Sequence, residues 1–249
     1  MSSDGTKEFF TRRFFAHVHY GSNSRIIAVM ATKTVENYLK HLYEAQQSAP
    51  GQLVAMGKLA EIMGVVAGTA TTMVRALADS GLVVYEPREG VKLTSGGEQL
   101  ALHVLRRHRL VESFLVEVLG MDWAEVHPEA EELEHAISDK VLEKIDAFLK
   151  HPSADPHGDP IPNAKGHIAN DAMHKLSEAK IGVKSQIVRV TDQRPDFLKF
   201  ANDKGLAPKV LVIVKERDLQ ADALTVEPEN KPVFTLSTAA ASKFLVKDA

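Results

Sequence analysis

The residue types and spacings best suited to chemistry lie in the middle of the chain, between His127 and His135. Glu131, Glu134 and His135 are spaced i, i+3 and i+4, so on a helix their side chains share one face and can converge on one cation. Carboxylate oxygens combined with imidazole nitrogens suit Mn(II), Fe(II), Co(II) or Zn(II) better than calcium or Cu(I). The pattern therefore predicts a metal site.

A second group of ligand types lies one helix earlier. His108 and Glu112 are four residues apart, which again places them on one helix face, and His127 opens the later stretch. Such short patterns also occur on solvated acidic helices, but their recurrence on two helices favours a ligand cluster. Seven other histidines have no comparable neighbours and are predicted to be surface or linker residues: His17, His19, His103, His151, His157, His167 and His174.

Composition limits the class of protein that can carry such a site. The chain has 249 residues, 44% of them hydrophobic, which suffices for one large domain or two to three small ones. It has no cysteine, so disulfides, Cys-ligated zinc and iron–sulfur clusters are excluded. The sequence contains no apolar run long enough to span a bilayer and no secretory signal, so we expect a cytoplasmic protein without a membrane partner.

Charge is distributed unevenly, although the formal net charge is only -3. Residues 33–111 carry nine lysines and arginines against seven aspartates and glutamates, whereas residues 112–160 carry three against thirteen. Like charges packed this densely repel one another, and a bound divalent cation would relieve part of the repulsion. The simpler alternative is a solvated acidic helix face.

The elements before the acidic region predict a DNA-binding unit. Apolar residues at helical spacing indicate helices over 34–47, 56–63 and 69–80. Two β-rich runs follow at 82–85 and 91–94, joined by a turn. Three helices followed by a hairpin are typical of a winged helix-turn-helix.

The third helix is the expected DNA reader. Its outward-facing hydroxyl and guanidinium groups suit base edges and phosphates, and basic residues of the wing suit phosphates. The predicted DNA-contacting residues are Thr69, Thr71, Thr72, Arg75, Arg88 and Lys92. A protein-binding scaffold is the alternative interpretation of a three-helix unit.

Two long helices are expected after the wing, over 97–119 and 128–150. Their apolar stripes are too wide for one thin domain to cover, which predicts a homodimer. Residues 151–162 contain four prolines and mark a domain edge. Beyond a linker, short β-rich runs between 187 and 236, with a helix near 195–202, predict a small β-barrel.

Seven short motifs between residues 35 and 162 match, in the same order, those of a known protein family. They are Val35-Glu-Asn-Tyr-Leu39, Ser80-Gly-Leu-Val-Val84, Leu93-Thr-Ser-Gly-Gly97, Arg107-His-Arg-Leu110, Val126-His127, Glu134-His135 and Gly158-Asp-Pro-Ile-Pro162. In these motifs the chain resembles the diphtheria-toxin-repressor family of metal-dependent transcriptional regulators, which includes iron-dependent repressors and manganese transport regulators. The resemblance spans nearly everything after Met30.

The resemblance implies a fold that is mainly α, with a winged helix-turn-helix, an α-helical dimerisation domain and a small C-terminal SH3-like β-barrel. Residues 1–30 are expected to be either a disordered extension or a stretch that lies before a true start at Met30, because the ordered pattern begins directly after Met30. The expected divisions are an extension over 1–30, a DNA-binding domain over 31–96, a metal-binding and dimerisation domain over 97–162, a linker over 163–180, and an SH3-like, FeoA-type domain over 181–249.

The resemblance also implies two sets of metal ligands. The regulatory set is Asn37, Glu131, Glu134 and His135; the ancillary set is His108, Glu112 and His127, to which Asp192, Gln193 or Asp196 of the third domain can contribute. Asn37 departs from the family pattern, since relatives have methionine or aspartate there. Lys40 stands where the manganese type has a second carboxylate, and because an ammonium cannot coordinate metal, we expect two separate sites.

The expected function is a non-enzymatic repressor of metal-ion homeostasis genes, activated by Mn(II) or Fe(II), that binds a palindromic operator as a homodimer. Glu131 favours Mn(II), whereas His127 and Lys40 follow the iron-type arrangement. A di-iron carboxylate enzyme is one alternative; it would use Glu132-x-x-His135 but needs a second such motif, which the chain lacks. A winged-helix regulator that responds to a non-metal effector is the other.

Overall fold

The computed structural model describes residues 32–169 and 172–249. The extension predicted over 1–30 and the start proposed at Met30 lie outside these residues. Within them, no helix is both long enough and apolar enough to cross a lipid bilayer. Three units follow one another along the described chain: a winged unit, a helical unit and a sheet unit.

The winged unit consists of three helices and a two-stranded antiparallel hairpin, as predicted. The first helix begins after Thr32, whose hydroxyl accepts a hydrogen bond from the backbone N–H of Val35 and so satisfies one free donor of the helix end. Leu39, Val74 and Val91 lie in one apolar core that joins helices and hairpin. The elements are α1 (Lys33–Gln47), α2 (Met56–Ile62), α3 (Ala67–Asp79), β1 (Val83–Glu86) and β2 (Gly90–Leu93).

The helical unit begins with the longest helix described, α4 (Ser95–Glu117), which contacts α1 of the winged unit as well as the helices that follow. Thr94 caps it by accepting a hydrogen bond from the backbone N–H of Gly97. Because α4 touches both units, it positions side chains of the winged unit against side chains of the helical unit.

The prediction of one long helix over 128–150 is wrong. The chain forms two shorter helices, α5 (Val126–Leu133) and α6 (Asp139–Phe148). The hydroxyl of Ser138 accepts a hydrogen bond from the backbone N–H of Val141 and caps the start of α6. This local bond competes with continuation of the preceding helix, which is interrupted before Ser138. The apolar residues keep their helical spacing across the interruption, and for that reason the sequence predicted a single helix.

The sheet unit is a six-stranded antiparallel sheet of order β3-β8-β4-β5-β6-β7. Phe197 and Leu198 of its main helix pack into the same apolar cluster as Val212 and Phe244 of the strands. The elements are β3 (His174–Lys175), a 3-10 turn (Leu176–Glu178), β4 (Lys184–Val190), α7 (Pro195–Lys204), β5 (Leu211–Asp218), β6 (Ala223–Pro228), β7 (Phe234–Ser237), α8 (Thr238–Ala241) and β8 (Phe244–Asp248). The sequence predicted neither β3, which lies in the expected linker, nor β8.

The sheet unit packs against the helical unit through the proline-rich segment that follows α6. The backbone N–H of Val190 donates a hydrogen bond of 2.9 Å to the carbonyl of His157. Gly158 has a φ of +88°, and a Cβ atom there would overlap the carbonyl oxygen of Val188. Only glycine combines this backbone conformation with so close an approach. Ala124 of the helical unit joins the apolar cluster of the sheet.

Candidate metal centre and DNA-binding surface

The ligands predicted on α5 converge as their helical spacing indicated. Glu131, Glu134 and His135 each place one ligand atom within 4.8 Å of the others. Helical hydrogen bonding continues just beyond the end of α5, because the N–H of Glu134 donates to the carbonyl of Ala130. The side chain of Glu134 is fully buried. A cluster of two carboxylates and an imidazole, with Glu134 fully buried and its two neighbours partly buried, is a suitable cation site.

Two predicted ligands hold a buried polar atom that has no hydrogen-bond partner among the described residues: Oδ1 of Asn37 and Nε2 of His135. Nε2 of His135 lies 3.2 Å from Oε1 of Glu134. Leaving such an atom unpaired costs about 1–3 kcal/mol, and a bound cation would remove that cost. The amide oxygen, carboxylates and imidazole of this set fit a divalent transition metal such as Mn(II) or Fe(II).

Lys40 lies between the two carboxylates of this cluster. Its Nζ is 2.5 Å from Oε1 of Glu131 and 2.7 Å from Oε1 of Glu134, and its side chain is 1% exposed. Burial alone would lower the pKa of Lys40, but the charges and hydrogen bonds of Glu134 and Glu131 outweigh it and raise the pKa. The side chain therefore stays charged. The sequence indicated that Lys40 cannot coordinate, but not that it contacts the ligands.

The ancillary ligands also meet. Nε2 of His108 lies 3.0 Å from Oε1 of Glu112 and 3.1 Å from Nδ1 of His127, and Nδ1 of His127 lies 3.2 Å from the same oxygen of Glu112. Burial by itself lowers the pKa of His108, but Glu112 and a hydrogen bond with Glu134 raise it to about 10. Burial by itself raises the pKa of Glu112, but the charge of His108 and its hydrogen bond hold the pKa of Glu112 well below the usual range.

The two predicted ligand sets adjoin each other. Nδ1 of His108 donates to Oε2 of Glu134 over 2.5 Å, so one imidazole contacts both sets. Glu131 lies within 4.8 Å of ligand atoms of His108 and His127 as well as of its neighbours on α5. In the described structure the two sets adjoin within one continuous polar cluster. The two separate ion sites expected from Lys40 stay a prediction.

The predicted third-domain ligands have other partners. Asp192 forms ion pairs with Arg194 and Lys243, which hold the pKa of its carboxyl below the usual range against the opposing effect of burial. Gln193 donates a hydrogen bond to Asp159, and Asp196 is exposed at the start of α7. Among the described residues, none of the three contacts the ancillary ligands.

Two residues of the proline-rich segment approach Glu112 instead. Glu112, Asp155 and His157 are all buried and place ligand atoms within 4.8 Å of one another. The prediction of His157 as a surface or linker residue is therefore wrong. Burial, together with the charges of Asp159 and Glu112, raises the pKa of Asp155. The Asp-x-His spacing beside Gly158 was the available signal in the sequence.

The residues predicted to contact DNA lie on α3 and the hairpin. Arg75, Arg88 and Lys92 are exposed. The hydroxyl of Thr71 donates to the carbonyl of Ala67, and Thr72 bonds in the same way within α3. These hydroxyl oxygens can accept hydrogen bonds while their protons are directed into the helix.

A cavity of about 590 Å³ lies between α1 and α3. Asn37 lines it from α1, and Thr69 and Thr72 line it from α3. The predicted ligand on α1 is therefore a near neighbour of the predicted DNA reader.

The enzyme alternative depended on Glu132 and His135 facing one centre. The side chain of Glu132 is 75% exposed and pairs with Lys33 at the surface. Glu131 and Glu134, rather than Glu132, face His135 in the cluster. The Glu-x-x-His pattern is therefore not the one that this structure uses.

Three family profiles match the chain in succession. Residues 30–91 match the iron dependent repressor, N-terminal DNA binding domain. Residues 94–163 match the iron dependent repressor, metal binding and dimerisation domain, and residues 174–248 match the FeoA domain. The matches cover all three units of the fold.

Individual relatives agree with these profiles. The iron-dependent repressor IdeR of Mycobacterium tuberculosis (strain H37Rv) is 30% identical over 194 residues, which cover 73% of this chain and 84% of that protein. The diphtheria toxin repressor of Corynebacterium diphtheriae is 36% identical over 129 residues, covering 52% and 56%. A solved manganese-dependent transcriptional repressor in complex with manganese matches with a TM-score of 0.77 and 37% identity, covering 86% of this chain and 99% of the other. This chain therefore belongs to the diphtheria-toxin-repressor family of metal-dependent transcriptional regulators.

Proposed function

We propose that this protein represses metal-ion homeostasis genes by binding an operator when Mn(II) or Fe(II) is bound. One observation carries the proposal: a buried oxygen of the winged unit and a buried nitrogen of the helical unit, both in the predicted ligand set, have no hydrogen-bond partner among the described residues. Asn37 belongs to the winged unit, whereas Glu131, Glu134 and His135 belong to the helical unit. The centre is therefore placed to couple metal binding to the position of the DNA reader.

The coupling follows from the geometry of the ligands. Asn37 and His135 would hold the ion through their unpartnered Oδ1 and Nε2 atoms, together with the carboxylates of α5. The ion supplies positive charge that attracts ligands of both units. When Asn37 is bound to the ion, α1 is fixed against α5. The position of α3 is then fixed as well, because α1 and α3 share the core of the winged unit.

Operator binding depends on the distance between two α3 helices in a homodimer. Half-sites of a palindromic operator are separated by one or more turns of DNA, each about 34–36 Å, so one fixed separation raises affinity. Operator DNA should in turn tighten metal binding by the same factor. A protein with this role must reach chromosomal DNA, which places it in the cytoplasm.

The helical unit offers the surface for the second subunit. Leu133, Val141 and Phe148 are 39%, 48% and 66% exposed on or next to α5 and α6. Val141 and Phe148 are seven residues apart and therefore share one face of α6, and exposed apolar helix faces are typical of protein interfaces. We therefore place the dimer contact on this face.

We assign His108, Glu112 and His127 to a second ion, bound in the ancillary position. All three ligand atoms lie within hydrogen-bond distance of one another. His108 also contacts Glu134 of the regulatory set, so binding of an ion to the ancillary set alters the surroundings of a regulatory ligand directly.

The proposal is tested with an operator selected from random DNA in the presence of Mn(II). Asn37→Ala and Glu134→Ala should each abolish the increase in operator affinity caused by metal, measured by fluorescence anisotropy with buffered Mn(II), buffered Fe(II) or chelator. Glu132→Ala is the matched control, because this exposed glutamate lies on the same helix. Unchanged metal stimulation in both ligand variants would contradict the scheme.

A further inference from the structure

Lys40 is the part of the centre that the proposed metal chemistry does not use. It lies on α1, in the winged unit, yet its ammonium contacts Glu131 and Glu134 of the helical unit. Lysine is almost never fully buried without a charged partner. A protein cation therefore already bridges two of the carboxylates proposed as metal ligands.

We propose that Lys40 is an internal counter-ion of the metal centre: it joins α1 to α5 before metal binds, and it competes with the metal for Glu131 and Glu134. This inference rests on the proposed function, because it requires these two carboxylates to be metal ligands. It assigns Lys40 two effects of opposite sign, stabilisation of the metal-free protein and a lower affinity for the metal.

The stabilising effect follows from the burial of the carboxylates. Glu134 is fully buried, and its Oε1 atom has Lys40 at 2.7 Å while its Oε2 atom has His108 at 2.5 Å. Removing one partner of a buried ion pair is strongly destabilising, because the other charge stays buried without compensation. Lys40 thus compensates charge that would otherwise keep the two units apart.

The competing effect follows from the atoms that Lys40 occupies. Oε1 of Glu134 lies between Nζ of Lys40 and Nε2 of His135, at 2.7 and 3.2 Å. An ion bound by His135 at this oxygen must share it with the ammonium or displace the ammonium. Two positive charges at one oxygen repel each other, so either outcome weakens metal binding.

The chain contains a matched control for this contact. Lys33 and Glu132 form an ion pair of 2.7 Å between the same two helices, but their side chains are 46% and 75% exposed. Exposed pairs contribute little to stability because water screens them. Lys33→Met and Lys40→Met therefore remove the same group from the same helix in two different environments.

The test measures Mn(II) affinity and thermal unfolding of the full chain, with chelator and with saturating Mn(II). Lys40→Met should melt at a lower temperature than wild type in chelator, and bind Mn(II) about tenfold more tightly or better, within the usual range of coupling between sites. Because of this tighter binding, Mn(II) should raise its melting temperature more than that of wild type. Lys33→Met should match wild type in both measurements. Equal or weaker Mn(II) affinity of Lys40→Met would overturn the proposal.

A second measurement needs no variant. After chelator treatment of the wild type, hydrogen exchange of backbone amides in α1 should stay as slow as in α4, since Lys40 keeps α1 in place. Fast exchange confined to α1 would overturn the proposal, even if Lys40→Met fails to fold. Absence of Mn(II) binding by wild type and variant alike would reject the proposed function itself, whereas equal binding by both rejects only the role of Lys40.

Discussion

Nδ1 of His135 lies 2.6 Å from Oε2 of Glu36, although the two residues are 99 positions apart. Glu36 belongs to α1 and His135 follows α5, so this hydrogen bond crosses the boundary between the winged and helical units. Arg107 of α4 pairs with the other oxygen of Glu36. The bond holds the imidazole so that its Nε2 atom is free for a metal, an arrangement that commonly supports histidine ligands.

We expect Glu36→Gln to weaken Mn(II) binding by about 10- to 100-fold, the usual effect of losing the partner of a ligand histidine. The amide keeps the size of the side chain but loses the charge that favours the N–H donor of His135. Competition with a fluorescent metal indicator measures the affinity. Glu132→Gln, at the exposed pair of the same two helices, should behave as wild type. Equal affinities for all three proteins would show that Glu36 does not support the ligand.

Metal binding should release protons. Glu112 and Glu134 outweigh the effect of burial and raise the pKa of His108 to about 10, so the ring is an imidazolium at pH 7 in the metal-free protein. A metal binds only the neutral imidazole, so His108 must lose about one proton when it coordinates. The apparent affinity should therefore rise with pH.

Isothermal titration of Mn(II) in two buffers of different ionisation enthalpy measures this release. The observed heat should differ between the buffers in proportion to the protons released. In His108→Ala the difference should be smaller. A heat that is independent of the buffer would contradict a protonated His108.

Gly158 should be required for the contact between the sheet unit and the helical unit. Gly158→Ala introduces a Cβ that overlaps the carbonyl oxygen of Val188, in addition to the strain of a positive φ. Gly182 has a φ of +77° with no atom near its Cβ position, so Gly182→Ala carries only the strain, about 1–2 kcal/mol. Gly158→Ala should cost at least about 1 kcal/mol more, because overpacking adds to the strain.

Chemical denaturation and limited proteolysis measure this difference. In Gly158→Ala, cleavage in the proline-rich segment should become faster, while Gly182→Ala keeps the wild-type pattern. Equal losses of stability in the two variants would mean that the segment has room to move away from β4.

Local spacing predicted those parts of the centre that lie on one helix. Glu131, Glu134 and His135 meet because the i, i+3, i+4 rule needs no knowledge of the rest of the fold. Lys40 contacts Glu131 across 91 positions, and nothing local marks that contact. The family resemblance placed Lys40 at the centre but suggested only that it cannot coordinate.

Irregular backbone limited the prediction elsewhere. Asp155 and His157 lie in a proline-rich segment without a repeat, so no periodicity could indicate which side chains point inward. The break before α6 was missed because apolar residues continue at helical spacing through it, and the cap at Ser138 is a single hydrogen bond. The C-terminal sheet was predicted in outline, because alternating β-rich runs mark most of its strands, but its short edge strand β3 has only two residues.

The contribution of α3 to operator binding can be tested at Arg75. This residue is exposed and, among the described residues, has no ion-pair partner, so its charge is available to a phosphate. Arg75→Gln keeps a good helix former in place but removes the charge, and we expect weaker binding together with a salt dependence reduced by about one unit of slope. Operator affinity with saturating Mn(II), measured across a series of salt concentrations, gives both values. Arg194→Gln removes an exposed arginine of the sheet unit and should leave the slope unchanged. A slope equal to that of wild type in Arg75→Gln would remove Arg75 from the DNA interface, since a lost phosphate contact must change the number of ions released.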